Sequence, residues 1–169
     1  MVKFFDDLVK SSDYLFMKTS LLPVHLQRRD TASAISVFGV EVQILAGSAQ
    51  TDGSASTYLA TCAPGVGAPP HRHVDSDETF YVLEGAFEIL CGESIQHVGA
   101  GDLVFIPRGV AHHFQCIGPQ TGRLLGFCQP AGHEKFFIDC AGAVANGTFS
   151  PETGRAICVK HGIELLIPR

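Results

Sequence analysis

Short runs of apolar residues, each closed by glycine or proline, fill the middle of this sequence and constrain its fold more than any other feature. Turn residues such as Pro64-Gly65, Glu84-Gly85 and Gly118-Pro119 separate the runs. Strands at this even spacing, with no helical pattern between them, are typical of a β-sandwich or a β-barrel. The sequence therefore predicts an all-β fold, with strands over 37–45, 56–62, 78–83, 86–91, 102–106, 112–117 and 123–128.

The size and charge of the chain exclude several classes of protein. Its 169 residues fit one domain, which at this length buries enough surface to fold without a disulfide or a structural metal. The net charge is −5 and there is no block of lysine or arginine, so we expect no nucleic-acid partner. No apolar run reaches the length of about 18 residues that a membrane span needs, so we expect no membrane partner.

The cysteines and the N-terminus indicate the compartment. The six cysteines are scattered through the chain without a CxxC pair, which is typical of reduced, mostly buried thiols. Asp6 and Asp7 stand where a secretory signal would have an apolar stretch. These features predict a cytoplasmic protein.

Both ends of the chain differ from its strand-rich middle, so the sequence divides into three parts. We predict an N-terminal extension over 1–33, a barrel that carries the site over 34–130, and a C-terminal helical tail over 131–169. The extension is expected to pack on the barrel or on a second subunit. Its apolar residues have the spacing of a short amphipathic helix, and they are Phe4, Phe5, Leu8 and Val9.

The tail contains a clear helix signal. Ser150, Pro151 and Glu152 provide an N-cap, a first-turn proline and an acid near the positive end of the helix dipole. His161-Gly162 is a typical C-terminal stop. The sequence therefore predicts one helix between these two signals.

Three histidines and one glutamate are spaced so that they can meet at one site. His71 and His73 are two residues apart, which on an extended strand places both imidazoles on the same face. Glu78 begins the next predicted strand, so a hairpin can bring its carboxylate beside them, and His112 begins a later strand. Such a set suits Fe, Mn, Ni, Cu, Co or Zn. The four side chains are therefore a candidate site for one divalent transition metal ion.

Two sequence motifs contain these four residues. The pattern G-x5-H-x-H-x4-E-x6-G fits residues 65–85 without a gap. The pattern G-x5-P-x-G-x2-H-x3-N begins at Gly101, but Cys116 stands at its final asparagine position. The chain resembles the cupin family in both motifs. Its tail is similar to that of small single-domain cupins described as similar to quercetin 2,3-dioxygenases.

The resemblance implies a fold, a ligand set and an assembly. It implies a single-domain jelly-roll β-barrel, with His71, His73, Glu78 and His112 as metal ligands. It also implies a catalytic role for Glu78, since the corresponding glutamate of quercetinases accepts the proton of the substrate hydroxyl. Small cupins commonly pair, so it implies a homodimer. The asparagine replaced by Cys116 is not usually a ligand, and the ligand set is therefore complete.

Strand alternation places apolar side chains beside this candidate site. Residues two and four positions after Glu78 and His112 share the face of those residues, because side chains alternate along a strand. A cavity with mostly apolar walls and one polar anchor has the general form of a small-molecule pocket. The predicted pocket residues are Phe80, Val82, Phe114 and Cys116.

Three functions are compatible with such a site. The leading hypothesis is a metal-dependent, dioxygenase-like oxidoreductase acting on a small hydroxylated or dicarbonyl compound, such as a flavonoid-like polyphenol. The second is a non-redox isomerase or lyase that uses the metal as a Lewis acid. The third is a non-catalytic, metal-dependent small-molecule binding protein. Oxygen uptake separates the first from the second, and turnover of any kind separates both from the third.

Overall fold

The computed structural model describes residues 22–28 and 31–166, and this part of the chain contains eleven strands and three helices. The strands are β1 Ala34–Val37, β2 Val40–Ala46, β3 Ser56–Cys62, β4 Gly67–His73, β5 Asp77–Glu84, β6 Ala86–Cys91, β7 Ser94–Gly99, β8 Leu103–Ile106, β9 His112–Cys116, β10 Gly122–Gln129 and β11 Ile163–Leu165. The helices are α1 Ser48–Thr51, α2 His133–Ala145 and α3 Pro151–Lys160. The amphipathic helix predicted around Phe4 to Val9 lies outside the described residues.

The strands form two antiparallel sheets. One sheet has the order β1-β2-β3-β10-β5-β8, and the other has the order β11-β4-β9-β6-β7. Neighbours in each sheet are mostly distant in sequence, as in Greek-key connections, and the apolar faces of both sheets enclose one core. The structure therefore confirms the predicted all-β jelly-roll barrel with a C-terminal helical segment.

The predicted strand over 37–45 is confirmed only from Val40 onwards, because the chain turns back on itself at Phe38 and Gly39. Phe38 and Gly39 have φ angles of 52° and 85°, both in the left-handed region. Two such residues in succession form the tight turn that suits a two-residue hairpin. Val37 consequently pairs with Val40, and β1 and β2 form a hairpin. Glycine favours this turn, whereas Phe38 gives no sequence signal for it.

The other predicted strands have ends within one residue of the observed ones, but three strands besides β1 were not predicted. They are β4, β7 and β11. Pro69 and Pro70 lie within β4, and proline normally argues against an inner strand because it has no N–H to donate. The pairing of β4 with β9 shifts register between Ala68 and His71, and this irregularity accommodates both prolines.

Side chains alternate between the barrel interior and the outside as the sequence predicts. In β5, Glu78, Phe80 and Val82 are buried, while Tyr81 and Leu83 are exposed. The same alternation buries every second residue of β9, namely His112, Phe114 and Cys116. The polar residues of the candidate site thus share the barrel interior with the apolar core.

The C-terminal tail folds back onto the barrel. The predicted helix is confirmed as α3, in which the Ser150 hydroxyl accepts a hydrogen bond from the backbone N–H of Thr153 at 3.2 Å. Helix α2, which had no separate sequence signal, packs against β1, β3 and α3. Strand β11 then pairs with β4, opposite His71 and His73. None of the helices in residues 22–28 and 31–166 has the length and apolar character of a membrane span.

Gly67 is expected to tolerate no side chain. A Cβ at this position would overlap the backbone oxygen of Phe114 and lie 2.7 Å from Cα of Gln115, and neither backbone atom can rotate away. We expect Gly67→Ala to lower the free energy of unfolding by about 3 kcal/mol. Gly142→Ala, in α2 with nothing within 4 Å, is the control and should raise it by about 0.5–1 kcal/mol. Urea unfolding measures both, and a loss below about 1 kcal/mol for Gly67→Ala contradicts the steric argument.

Candidate metal centre

Four buried polar side chains from both sheets converge inside one end of the barrel. β4 supplies His71 and His73, β9 supplies His112, and β5 supplies Glu78 from the facing sheet. His71 lies directly opposite His112 in the β4–β9 pair. One ligand atom from each residue lies within 4.8 Å of the others, so the group can hold a metal ion.

The three imidazole rings are oriented by their Nδ1 atoms. Nδ1 of His71 lies 2.8 Å from the backbone oxygen of Pro69, and Nδ1 of His112 lies 2.9 Å from that of Val110. Because a carbonyl oxygen only accepts, Nδ1 of each ring carries the hydrogen and donates it. Such a contact fixes the tautomer in metal-binding histidines and leaves Nε2 as the ligand atom.

His73 provides the observation that best tests whether a metal fits. Its Nδ1 lies 3.3 Å from the hydroxyl of Ser76, and its Nε2 is buried without a hydrogen-bond partner among the described residues. Burying an unpartnered polar atom costs about 1–3 kcal/mol. This Nε2 lies 3.4 Å from Oε2 of Glu78. A cation between the rings and the carboxylate satisfies both atoms, so the residues present fit a divalent metal ion.

The electrostatics of the cluster also suit a cation. Burial lowers the pKa of His71 to about 3, helped by the neighbouring His112, so this ring is neutral at physiological pH. Burial alone would raise the pKa of Glu78, but His73 and His112 hold it well below its ordinary value. Neutral imidazole and ionised carboxylate are the forms that bind metal.

His112 and Glu78 form a hydrogen bond at the position where a metal ion would bind. His112 Nε2 lies 2.9 Å from Oε2 of Glu78. Although burial lowers it, the pKa of His112 is raised overall because of this hydrogen bond. Metal binding releases such protons, since the ligand nitrogen must be free.

Comparison with known proteins agrees with this fold and site. The family model described as "Cupin domain" matches residues 58–128, which include all four residues of the cluster. The part of the chain that holds the cluster is thus a cupin domain. Quercetin 2,3-dioxygenase from Aspergillus japonicus is 31% identical over 109 residues, which cover 60% of this chain and 31% of that protein. This cupin chain thus aligns with about a third of the length of that relative.

Solved structures share the cupin fold. KdgF from Halomonas sp. has a TM-score of 0.59 at 20% identity, over 66% of this chain and 99% of that one. A predicted oxalate decarboxylase from Thermotoga maritima has a TM-score of 0.60 at 18% identity, over 63% of this chain and 99% of that one. The polyketide cyclase RemF from Streptomyces resistomycificus has a TM-score of 0.56 at 25% identity, over 63% of this chain and 80% of that one. At these identities the first two show the fold alone.

The second carboxylate oxygen of Glu78 is held by two residues that sequence reasoning missed. The hydroxyl of Tyr58 donates to Oε1 at 2.5 Å, and Sγ of Cys128 lies 3.4 Å from the same atom. Burial raises the pKa of both groups well above their ordinary values, so both stay protonated and can donate. Cys128 lies opposite Glu78 in the β10–β5 pair, a register that the sequence does not reveal.

His133, the first residue of α2, also reaches the cluster of this cupin. Its ring centre lies 4.8 Å from that of His73 and 4.6 Å from that of Phe137. Burial, helped by His73, lowers the pKa of His133 to about 3. His133 lies in neither of the two motifs that contain the cluster, and it follows the matched residues 58–128. Only the folded position of α2 brings it here.

A largely apolar cavity of about 60 Å³ adjoins the cluster. Its polar lining consists of Tyr58, His71, Glu78 and His133. Among the apolar lining residues are Val40, Val42, Phe114, Phe136 and Phe137. Residues from α2 therefore form part of the wall opposite the barrel strands.

The predicted pocket residues lie at different depths in the barrel. Phe114 lines the cavity, whereas Phe80, Val82 and Cys116 are not among its lining residues. Phe80 packs behind Phe114, with ring centres 5.2 Å apart. Val82 lies opposite Leu124, and Cys116 opposite Phe87. These three side chains belong to the fully buried core.

Glu134 fixes the start of α2 to the barrel. Its Oε1 accepts hydrogen bonds from the backbone N–H and the hydroxyl of Ser48, at 2.9 and 2.6 Å. Its Oε2 accepts from the hydroxyl of Ser56 and the backbone N–H of Gly132, at 2.5 and 2.9 Å. Burial would raise the pKa of this carboxyl, but the hydrogen bonds lower it to about 2. These four hydrogen bonds fix the position of the adjacent residue, His133.

We expect Glu134→Gln to lower the free energy of unfolding by about 2 kcal/mol at pH 7, since hydrogen bonds to a charged acceptor are the stronger ones. A lowered pKa stabilises the fold fully above the ordinary value of 4.5, and that contribution is lost as the pH falls towards about 2. The difference in the free energy of unfolding between wild type and Glu134→Gln should therefore become smaller from about pH 5 downwards. Urea unfolding at several pH values below about 5 measures this difference, with Lys135→Gln as control. A difference that stays constant with pH contradicts the stabilising role of the ionised Glu134 carboxylate.

Proposed function

We propose that this cupin is a metal-dependent, dioxygenase-like oxidoreductase that acts on a small hydroxylated or dicarbonyl compound. The observation that carries the proposal is the convergence of three oriented imidazoles and one ionised carboxylate beside an apolar cavity. The similarity to a quercetin 2,3-dioxygenase over 109 residues supports the oxygenase reading. Histidine-rich sites with one carboxylate suit redox-active divalent metals.

The four residues of the cluster would hold the ion. His71, His73 and His112 would bind through Nε2, and Glu78 through Oε2, the oxygen that faces two of the rings. A redox-active divalent ion bound there supplies a positive charge next to the substrate oxygen and a route for electrons to dioxygen.

Glu78 would also act as the proton acceptor for the substrate hydroxyl. Its carboxylate is ionised and faces the cavity, so it can take the proton of a phenol or an enol bound there. Tyr58 holds the other oxygen in place, which fixes the plane of the carboxylate. Among the described residues that line the cavity Glu78 is the only carboxylate, so it is the base that a bound hydroxyl would meet.

The cavity limits the size of the substrate. A buried water takes roughly 10–15 Å³ of such space, so about 60 Å³ holds roughly four to six water molecules. A compact phenol or dicarbonyl suits this room better than a three-ring flavonoid, which needs α2 to move. Within the substrate class that the motifs imply, the smaller members are therefore favoured.

A non-redox cupin enzyme is the second candidate. RemF, named a polyketide cyclase, is 25% identical over 63% of this chain, and a divalent ion in the same cluster can act as a Lewis acid. In that case Glu78 would still move the proton of an enol or hydroxyl, but no dioxygen would be consumed.

Oxygen uptake separates the two candidates. The chain, loaded separately with Fe(II), Mn(II), Ni(II), Co(II) and Cu(II), is given a panel of catechols, β-diketones and flavonols in an oxygen electrode. The proposal predicts substrate-dependent uptake with at least one metal and no uptake by His112→Ala. Consumption of a panel compound without oxygen uptake supports the second candidate. Binding without turnover of any compound contradicts both enzyme candidates.

A further inference from the structure

His133 faces Glu78 from a part of the fold that lies outside both sequence motifs. One nitrogen of its ring, one carboxylate oxygen of Glu78 and Sγ of Cys128 all lie within 4.8 Å of one another. The ring lines the cavity, with its centre 5.7 Å from that of Tyr58. The imidazole of His133, which is not part of the four-residue cluster, therefore lies close to the carboxylate of Glu78, the proposed base.

The ring of His133 has no hydrogen bond to another residue in the described part of the chain. Its close neighbours on α2, Phe136 and Phe137, are apolar, with ring centres 5.5 and 4.6 Å away. An imidazole carries at least one N–H donor in either protonation state. In a largely apolar cavity such a free donor binds an acceptor more strongly than it does in water.

The spacing between His133 and Glu78 matches one oxygen atom. A hydroxyl oxygen about 2.8 Å from each of two polar atoms spans at most about 5.6 Å between them. The nitrogen and the carboxylate oxygen lie closer than that, within 4.8 Å. One hydroxyl can therefore contact both, donating to Glu78 and accepting from His133.

We propose that His133 is a substrate-binding residue whose N–H donates a hydrogen bond to the hydroxyl oxygen that Glu78 deprotonates. In this step, which rests on the proposed function, the O–H bond breaks and the proton moves to the carboxylate of Glu78. The electron pair stays on the oxygen, where the N–H of His133 stabilises the new charge. The ligand is a compact, mostly apolar compound with an acidic hydroxyl, either a phenol or an enol.

Equilibrium binding of 4-nitrocatechol to the zinc-loaded chain tests this assignment without turnover. Zinc is redox-inert, and the visible absorption of the probe shifts when its hydroxyl ionises, so the spectrum reports both binding and loss of the proton. The variants are His133→Ala, His133→Gln, which keeps an N–H donor, and Lys135→Ala, an exposed control on the same helix turn. Zinc content and thermal unfolding are measured for each variant.

We expect His133→Ala to raise the Kd of the probe about tenfold and to reduce its ionised fraction, as for one lost hydrogen bond. His133→Gln should stay within about threefold of wild type, Lys135→Ala should match wild type, and all should keep their zinc. If His133→Ala fails to fold, His133→Gln and the ionised fraction of the probe carry the test.

Four results would overturn the assignment. The first is that His133→Ala binds the probe with the wild-type Kd and spectrum. The second is that His133→Ala loses zinc as His112→Ala does, since that result would make His133 part of the metal centre. Wild type that holds zinc but does not bind or ionise the probe contradicts this inference alone. Wild type that binds no metal contradicts the proposed function as well.

Discussion

His112→Ala is expected to lower the affinity of the chain for zinc or cobalt by roughly 100-fold or more, while the barrel stays folded. Loss of a partner outside the ligand set costs up to about 100-fold in known metal sites, and loss of a ligand costs more. The fold survives because the core around the cluster is apolar and continuous. Competition with a chromogenic chelator measures the affinity.

The neighbouring histidine gives a matched control for this experiment. His113 precedes Phe114 on the outer face of β9 and is only partly buried, so His113→Ala should keep the wild-type affinity. The same loss is expected for His71→Ala and His73→Ala. If all three single variants bind metal as wild type does, the ligand assignment is wrong.

Glu78→Gln is expected to lower turnover about 10²- to 10⁴-fold, with a much smaller loss of bound metal. The amide oxygen can still face the ion, but it cannot accept a proton, and general-base catalysis contributes about this factor. The compound from the panel that supports turnover is the substrate for this comparison, and metal content is measured on the same samples.

Glu84→Gln is the control for this prediction, because Glu84 lies at the exposed end of the same strand and pairs only with Arg123 among the described residues. Its turnover should match that of wild type. Equal losses of turnover and metal in Glu78→Gln would leave Glu78 as a ligand without a role in proton transfer.

The four-residue cluster could be predicted because its geometry is local or tied to strand ends. His71 and His73 share a face by strand alternation, and Glu78 and His112 each lie at or near the start of a strand. Both motifs fix these spacings in the sequence. The burial parity along β5 and β9 follows from the same alternation.

Contacts that depend on the path of the whole chain could not be predicted. Tyr58 and Cys128 reach Glu78 through the sheet order β3-β10-β5, which places strands from distant parts of the sequence side by side. His133 reaches the cavity because Glu134 clamps the start of α2 to Ser48 and Ser56. No pattern of residue types records these pairings.

The turn between β1 and β2 was missed for a local reason. Phe38 adopts a positive φ, which a bulky residue rarely does, and the apolar alternation continues through the turn. The ring of Phe38 packs against Phe136 and Phe149, with ring centres 6.5 and 5.9 Å away. Tertiary packing between this hairpin and the C-terminal tail thus stabilises a conformation that the local sequence disfavours.

Metal content of the wild-type chain tests the central claim most directly. Plasma mass spectrometry is applied to protein purified without an affinity tag or a chelator, before and after reconstitution with each candidate metal. We predict about one equivalent of a divalent transition metal per chain, and Fe, Mn, Ni or Cu in the purified protein supports the oxygenase reading. No bound metal, even after reconstitution, contradicts the metal centre and leaves only the barrel.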